Sequence, residues 1–212
     1  MDLRQRVESR VRAQFGRPRG LAGRVAGWIM AHRSSNRRRN SWAVSLLDVQ
    51  PDDRVLEIGF GPGIAIAELG HIATEGYVCG VDHSAVMVRQ AARRNAEGIR
   101  SGRIDLRLGS VEQLPAFEAP FDKILAVNAL EFSGHALELL AELRKVLGGG
   151  GRIAIAFQPR GRGATDEAAG ARGQAIVAAL RDAGFSRVRL ETLKLRPAVV
   201  CALGQKEATN GT

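Results

Sequence analysis

Cysteine, tyrosine and long apolar runs are all scarce in this chain. Its 212 residues hold two cysteines, one tyrosine and two tryptophans. Cys79 and Cys201 sit in strand-like runs, GYVCGVD and AVVCALG, and neither has a metal-ligand spacing. Both read as small buried hydrophobes of a reducing compartment. No uncharged apolar run approaches the ~20 residues that a membrane span needs. The first residues, MDLRQRVESRVR, are charged where a signal peptide requires an apolar core. These absences together imply a cytoplasmic protein. Hydrolase and nucleotide signatures are missing too: there is no G-x-S-x-G, no P-loop lysine and no His/Cys cluster. Lysine occurs only at 123, 145, 194 and 206, so arginine supplies most of the positive charge. That balance is a mark of GC-rich bacterial genomes and carries no mechanism.

The net charge of +9 is concentrated at one end. Residues 1–40 hold eleven arginines against Asp2 and Glu8, while the remaining 172 residues balance twenty basic against twenty acidic side chains. The chain reads as a neutral body, residues 41–212, preceded by a basic helical arm, residues 1–40. In the arm, Leu3, Val7, Val11 and Phe15 form an i, i+4 stripe, and GRPRG interrupts it. A second piece carries Leu21, Val25, Trp28 and Ile29, and a third starts at SSNRRRN with Trp42, Leu46 and Leu47 as its apolar side.

From Asp53 onward strands and helices alternate. Strands are expected at 54–59, 76–82, 103–109, 121–128 and 152–157, with helices at 63–73, 84–96, 134–151 and 173–185. Two further strands, 187–195 and 198–206, follow with only Arg196 and Pro197 between them. Alternation implies right-handed crossovers and a parallel sheet covered on both faces. The last pair is too closely joined for a crossover and must be antiparallel. The expected fold is α/β: a Rossmann-like, doubly wound, mostly parallel seven-stranded sheet with an antiparallel C-terminal hairpin. Segment 159–173, PRGRGATDEAAGARG, reads as a polar connection, and no internal repeat is present.

The stretch VLEIGFGPG, residues 55–63, ends a strand in an acid and three glycines. In an open parallel sheet, ligands bind at the carboxyl ends of the strands. Gly59, Gly61 and Gly63 let backbone approach a ligand without interference from a Cβ. A dinucleotide fingerprint would read G-x-G-x-x-G and aim a helix at pyrophosphate. Here the spacing is G-x-G-x-G, and Glu57 would repel a pyrophosphate. The carboxylate suits a ligand with a cationic group.

EIGFGPG resembles the first motif of the class I S-adenosylmethionine-dependent methyltransferases. GVDHS (80–84), GSVEQLP (109–115), FDKILAVNALEF (121–132) and LRKVLGGGGRIAIAFQPR (143–160) resemble the motifs that follow, in order and at the expected spacings. The resemblance covers roughly residues 41–206. It implies S-adenosyl-L-methionine as cofactor and S-adenosyl-L-homocysteine as product. It places Glu57 at the cofactor's methionine end and Asp82 on the ribose hydroxyls. His83 would lie beside the ribose or adenine, and Asn128 near the methionine portion. Many relatives have Asp or Asn against the adenine amino group where this chain has Ser110, with Val111 and Glu112 beside it.

Methyl transfer from a sulfonium is an in-line displacement, so the protein supplies position, desolvation and sometimes a base. Glu131, His135 and His32 are candidate bases, each with a structural alternative as a loop acid, a first-turn surface residue and a helix C-terminal histidine. Trp28, Ile29 and Trp42 are expected to pack over the cleft or the sheet edge. NALEF is not the N/D-P-P-Y/F signature of nucleic-acid amino-methylating enzymes. A small-molecule acceptor is the leading expectation. The basic arm leaves two others: an anionic membrane surface, with a lipid acceptor and a place peripheral to the inner membrane, and nucleic acid. The arm lacks the interleaved aromatics that stack on single strands. A non-catalytic cofactor-binding module is the remaining alternative.

Overall fold

The computed structural model describes residues 34–130, 135–161 and 163–208. Helix α1 (Ser34–Leu47) leads into β1 (Arg54–Ile58), α2 (Ile64–Ile72) and β2 (Tyr77–Asp82). Helices α3 (Ala85–Arg94) and α4 (Ala96–Arg100) precede β3 (Ile104–Leu108) and β4 (Phe121–Val127). Then come α5 (Ala136–Val146), β5 (Leu147–Phe157), α6 (Asp166–Asp182), β6 (Ser186–Leu193) and β7 (Val199–Gln205). The seven strands form one sheet in the order β3-β2-β1-β4-β5-β7-β6. β7 is antiparallel to both neighbours, and the pairs from β3 through β5 are parallel. The order reverses between β1 and β4, which is where an open α/β sheet leaves a crevice.

Each strand feeds two cores because its side chains alternate between faces. Val55, Val78 and Leu125 join α1, α2 and α3 on one face. Leu56, Ile58, Cys79, Val81 and Ile124 join α5 and α6 on the other. Both cysteines are buried and unpaired with each other. At the foot of the sheet, buried Lys123 pairs with Asp53 at 3.5 Å. That pair keeps β4's one inward cation neutralised beside the β1 entry turn.

Helix α1 belongs to the body of the molecule. Its Ala43, Val44 and Leu47 are fully buried against the first core, while Trp42 and Leu46 are half-buried at its margin. The boundary read at residue 40 falls inside this helix. Residues 1–33, including Trp28, Ile29 and His32, lie outside the described residues, as do Glu131 and its neighbours through Gly134.

Two expected boundaries differ from those observed. α5 ends at Val146, and the glycine run continues as the start of β5 rather than as the end of the helix. Leu147 is fully buried and pairs with Phe121, and Gly150 and Gly151 exchange backbone hydrogen bonds with Lys206. Lys206 also donates its ammonium to the carbonyls of Arg144 and Leu147, closing the helix terminus that the glycines were expected to close. α6 starts at Asp166, inside the segment read as a connection. The Thr165 side chain accepts from the N–H of Ala168 at 3.1 Å, and Asp166 and Glu167 occupy the first turn. Gly173 lies within this helix because Leu190 and Val200 press on it, leaving little room for a Cβ.

Candidate cofactor site

The carboxyl ends of β1, β2, β3 and β4, with one face of α1 and Arg160 beyond β5, line a pocket of about 560 Å³. Its acids come from strand alternation. Val55 and Glu57 point to the face covered by α2, and so does Asp82 on the neighbouring strand, two positions beyond Gly80, the register partner of Glu57. Where an apolar residue would have completed the core, the chain places two carboxylates. Both are buried, Glu57 to 2% exposure and Asp82 to 5%.

Glu57 is the less satisfied of the two. Its Oε2 is buried without a hydrogen-bond partner. Burial first, and then the Asp82 carboxylate, push its pKa up to about 8, while the Ile66 N–H in the first turn of α2 acts weakly the other way. Asp82 is better held. Its Oδ2 accepts the N–H of Gly61 and its Oδ1 the N–H of Ser84, each at 2.8 Å. Burial still raises its pKa against those two donors. Two carboxylates in one pocket, one with an orphaned oxygen, favour a ligand that brings positive charge and hydroxyl donors.

The three glycines have three separate reasons. All have positive φ, at +67°, +54° and +74° for Gly59, Gly61 and Gly63. A Cβ on Gly59 would stand 2.4 Å from that of Ala129 on the loop after β4. One on Gly61 would meet nothing within 4 Å. Gly61 is therefore the position where the turn leaves open space for a ligand. Gly63 does not line the pocket. A Cβ there would collide with Ala91 and Asn95 of α3, at 2.6 and 2.7 Å, so its role is helix packing.

Other expected residues divide between the pocket and the surface. His83 lines the pocket with its side chain half exposed, its Nδ1 3.9 Å from Asp82 Oδ1. Ser110, Val111 and Glu112 line it as well. Asn128 is there, and its side-chain amide donates to the carbonyl of Gln158 at 2.8 Å and accepts the N–H of Gln158 at 2.9 Å. The pair clamps the ends of β4 and β5 at a residue with φ of 53° and leaves the amide one N–H and one lone pair. His135 is absent from the pocket. It precedes α5 with its side chain 81% exposed and faces Glu138 at 3.7 Å, the surface role given above as its alternative. Glu131 and His32 lie outside the described residues.

Several lining residues were not anticipated: Asn36, Arg39 and Asn40 from α1, Phe60 and Met87, and Arg160 beyond β5. Phe60 is legible through Gly80, where a Cβ would stand 2.6 Å from the Phe60 ring. The lack of a side chain on β2 makes room for the aromatic ring.

Comparison with known proteins gives the family. Residues 55–151 match the model of a methyltransferase domain. The uncharacterized methyltransferase YdaC of Bacillus subtilis is 31% identical over 187 residues, which is 87% of this chain and 99% of YdaC. The ubiquinone/menaquinone biosynthesis C-methyltransferase UbiE of Geotalea daltonii is 27% identical over 119 residues, 54% of this chain and 51% of that protein. Among solved structures, the S-adenosylmethionine-dependent methyltransferase SibL in its apo form superposes with a TM-score of 0.66 at 18% identity, covering 82% of this chain and 56% of that one.

Proposed function

The chain belongs to the class I S-adenosylmethionine-dependent methyltransferases, and from that premise we propose that it methylates an O, N, C or S atom of a small molecule. The observation that carries the cofactor site is the orphaned Oε2 of Glu57 beside Asp82 and the open face of Gly61. S-adenosylmethionine supplies, when bound, a methyl group already activated on a sulfonium. Glu57 meets the cationic amino group at the methionine end, and the Asp82 carboxylate, with lone pairs left after its two backbone bonds, accepts from the ribose hydroxyls. Ser110 and Val111 border the adenine, with backbone groups standing in for the acid or amide that many relatives carry. Met87 and Phe60 exclude water from the middle of the pocket.

The acceptor reading rests on the size of the site. Only residues 158–165 separate β5 from α6, too few for a substrate subdomain, and among the described residues Asn36, Arg39 and Asn40 of α1 line the pocket from above the sheet ends. A relative named for quinone biosynthesis fits a small organic acceptor. No helix among the described residues is long and apolar enough to cross a membrane.

Calorimetric titration with S-adenosylmethionine and S-adenosylhomocysteine, with NAD as control, tests the reading. Micromolar binding of the sulfur compounds and none of NAD is expected. Binding of NAD in their place would overturn it.

A further inference from the structure

A second cavity lies beside the cofactor pocket and shares no lining residue with it. It measures about 680 Å³, within the range of small-molecule sites. The start of α6, the end of β6 with its connection to β7, and Arg38 of α1 surround it. Arg38 lines this cavity, and its neighbour Arg39 on the same helix lines the other.

The cavity exists because α6 and the β6–β7 hairpin part company over one helical turn. Asp166, Gly170 and Gly173 recur at i, i+4 and i+7, on the helix face turned to the hairpin. At Gly173 the two elements touch: a Cβ there would stand 3.0 Å from the Leu190 side chain and 3.2 Å from Val200. One turn earlier, a Cβ on Gly170 would meet nothing within 4 Å. At the helix start the elements meet again, where Oδ1 of Asp166 accepts the N–H of Ala198 at 2.7 Å. The opening is thus closed at both ends. Ala198 and Val200, alternate residues on one side of the chain, form its floor. Thr192 pairs with Val200, and Lys194 is two residues further on.

Gly170 has no structural reason to be glycine. It lies inside a helix, and no neighbour crowds it. Glycine there destabilises the helix relative to alanine. What it provides is room in the cavity. Charge gives that room a sign. Arg38, Lys194 and Arg196, brought together from distant parts of the chain, line it with exposed side chains, against Asp166 alone. Among the described residues, no carboxylate comes within ion-pair distance of any of the three cations. An apolar floor ringed by cations suits an anion carried on an apolar body.

We propose that this cavity is a second ligand site, for a small molecule that joins a carboxylate or a phosphate to an apolar ring or chain. Arg38, Lys194 and Arg196 take the anionic group, and the apolar part lies over Gly170, Ala198 and Val200. The site is distinct from the cofactor pocket and does not depend on how that pocket is read.

The test is calorimetric titration of the full chain with 2-naphthoate and with 1-naphthyl phosphate. 2-Naphthamide is the neutral control and inorganic phosphate the bare anion. Saturable binding of a naphthyl anion is expected, about tenfold or more tighter than either control. The tighter of the two naphthyl anions tells carboxylate from phosphate. Gly170→Leu fills the cavity with a good helix former, so it should abolish binding while the melting temperature stays or rises. Lys194→Gln and Arg196→Gln, at exposed positions, should each weaken binding about threefold, and the double variant about tenfold. S-adenosylhomocysteine should not displace the naphthyl anion. Failure of both naphthyl anions to bind overturns the proposal, as does binding that Gly170→Leu and the double variant leave intact. Naphthamide binding as tightly overturns it by removing the cations' role. Displacement by S-adenosylhomocysteine overturns it by putting the anion in the cofactor pocket.

Discussion

The backbone N–H of Gly61 donates to Oδ2 of Asp82 at 2.8 Å, joining the glycine turn after β1 to the acid that ends β2. The two motifs, 21 residues apart in the chain, act as one hydrogen-bonded unit. The ligand's shape is therefore set by a turn that needs the acid and an acid that needs the turn.

Asp82→Ala breaks that unit and leaves the N–H groups of Gly61 and Ser84 without their acceptor. Hydrogen bonds to a charged group are worth about 1.5–3 kcal/mol each, so a ten- to hundredfold loss of S-adenosylhomocysteine affinity is expected, about one to two decades by calorimetry. Asp82→Asn keeps an acceptor oxygen and should lose less. Unchanged affinity in Asp82→Ala would remove this residue from the site.

Glu57 makes the protein sensitive to pH. Its carboxyl is held up to about 8, above the ordinary carboxylate value of 4.5. Stability from this group is thus complete below 4.5 and is lost as pH rises through about 8, because the unfolded chain releases the proton first. Asp82, whose pKa burial also raises, adds in the same direction. Glu57→Gln should flatten the decline between those values and be the more stable protein above pH 8 in denaturant titrations. A ligand ammonium would favour the ionised carboxylate, so binding near neutral pH should release about one proton in the wild type and none in the variant. Calorimetry in buffers of differing ionisation enthalpy reads that number directly. Equal proton release in both proteins would place the amino group elsewhere.

Gly61→Ala and Gly63→Ala should fail in different ways. Both positions have positive φ, which costs an alanine about 1 kcal/mol. At Gly61 the new methyl meets no protein atom and intrudes on the ligand, so melting should change little while cofactor affinity drops. At Gly63 the methyl strikes Ala91 and Asn95 of α3, so stability should drop while the folded fraction binds normally. Parallel thermal melts and titrations separate the two effects. A reversal of the pattern would mean that Gly63, not Gly61, faces the cofactor.

These positions also show what could be read from the chain. Glu57 was legible as the acid that closes the first strand just before the glycines, and Asp82 through the resemblance of GVDHS to the family's second motif. The sheet was legible from its alternation with helices. Arg39 was hidden inside a run of three arginines, and nothing in the run itself shows which one turns inward. The usable signal lay downstream: continuing the buried positions Ala43, Val44 and Leu47 back by helical period lands on Asn36, Arg39 and Asn40. Of the expected apolar side, Trp42, Leu46 and Leu47, only Leu47 is fully buried, and the other two are half-buried at the margin of the core. The start of α6 was missed because glycines at 170 and 173 outweighed the Thr165-Asp166-Glu167 cap, which decides it.

Asn128 carries the last expectation, since it lines the pocket and joins the ends of β4 and β5 beside it. It sits at φ +53° and holds the backbone of Gln158 at both ends of its amide. Gln158 in turn receives Arg39. Asn128→Gly keeps the backbone conformation and loses the two hydrogen bonds, a cost of about 1–3 kcal/mol. Asn128→Ala loses the same bonds and adds the strain of a left-handed alanine, about 1–2 kcal/mol more. Denaturant unfolding should therefore rank wild type above Gly and Gly above Ala. Equal stability of the two variants would mean that the turn relaxes out of the left-handed region once the clamp is gone. Asn128 also lines the pocket beside Ala129, against which the Gly59 turn packs, so both variants should weaken S-adenosylhomocysteine in the folded fraction as well.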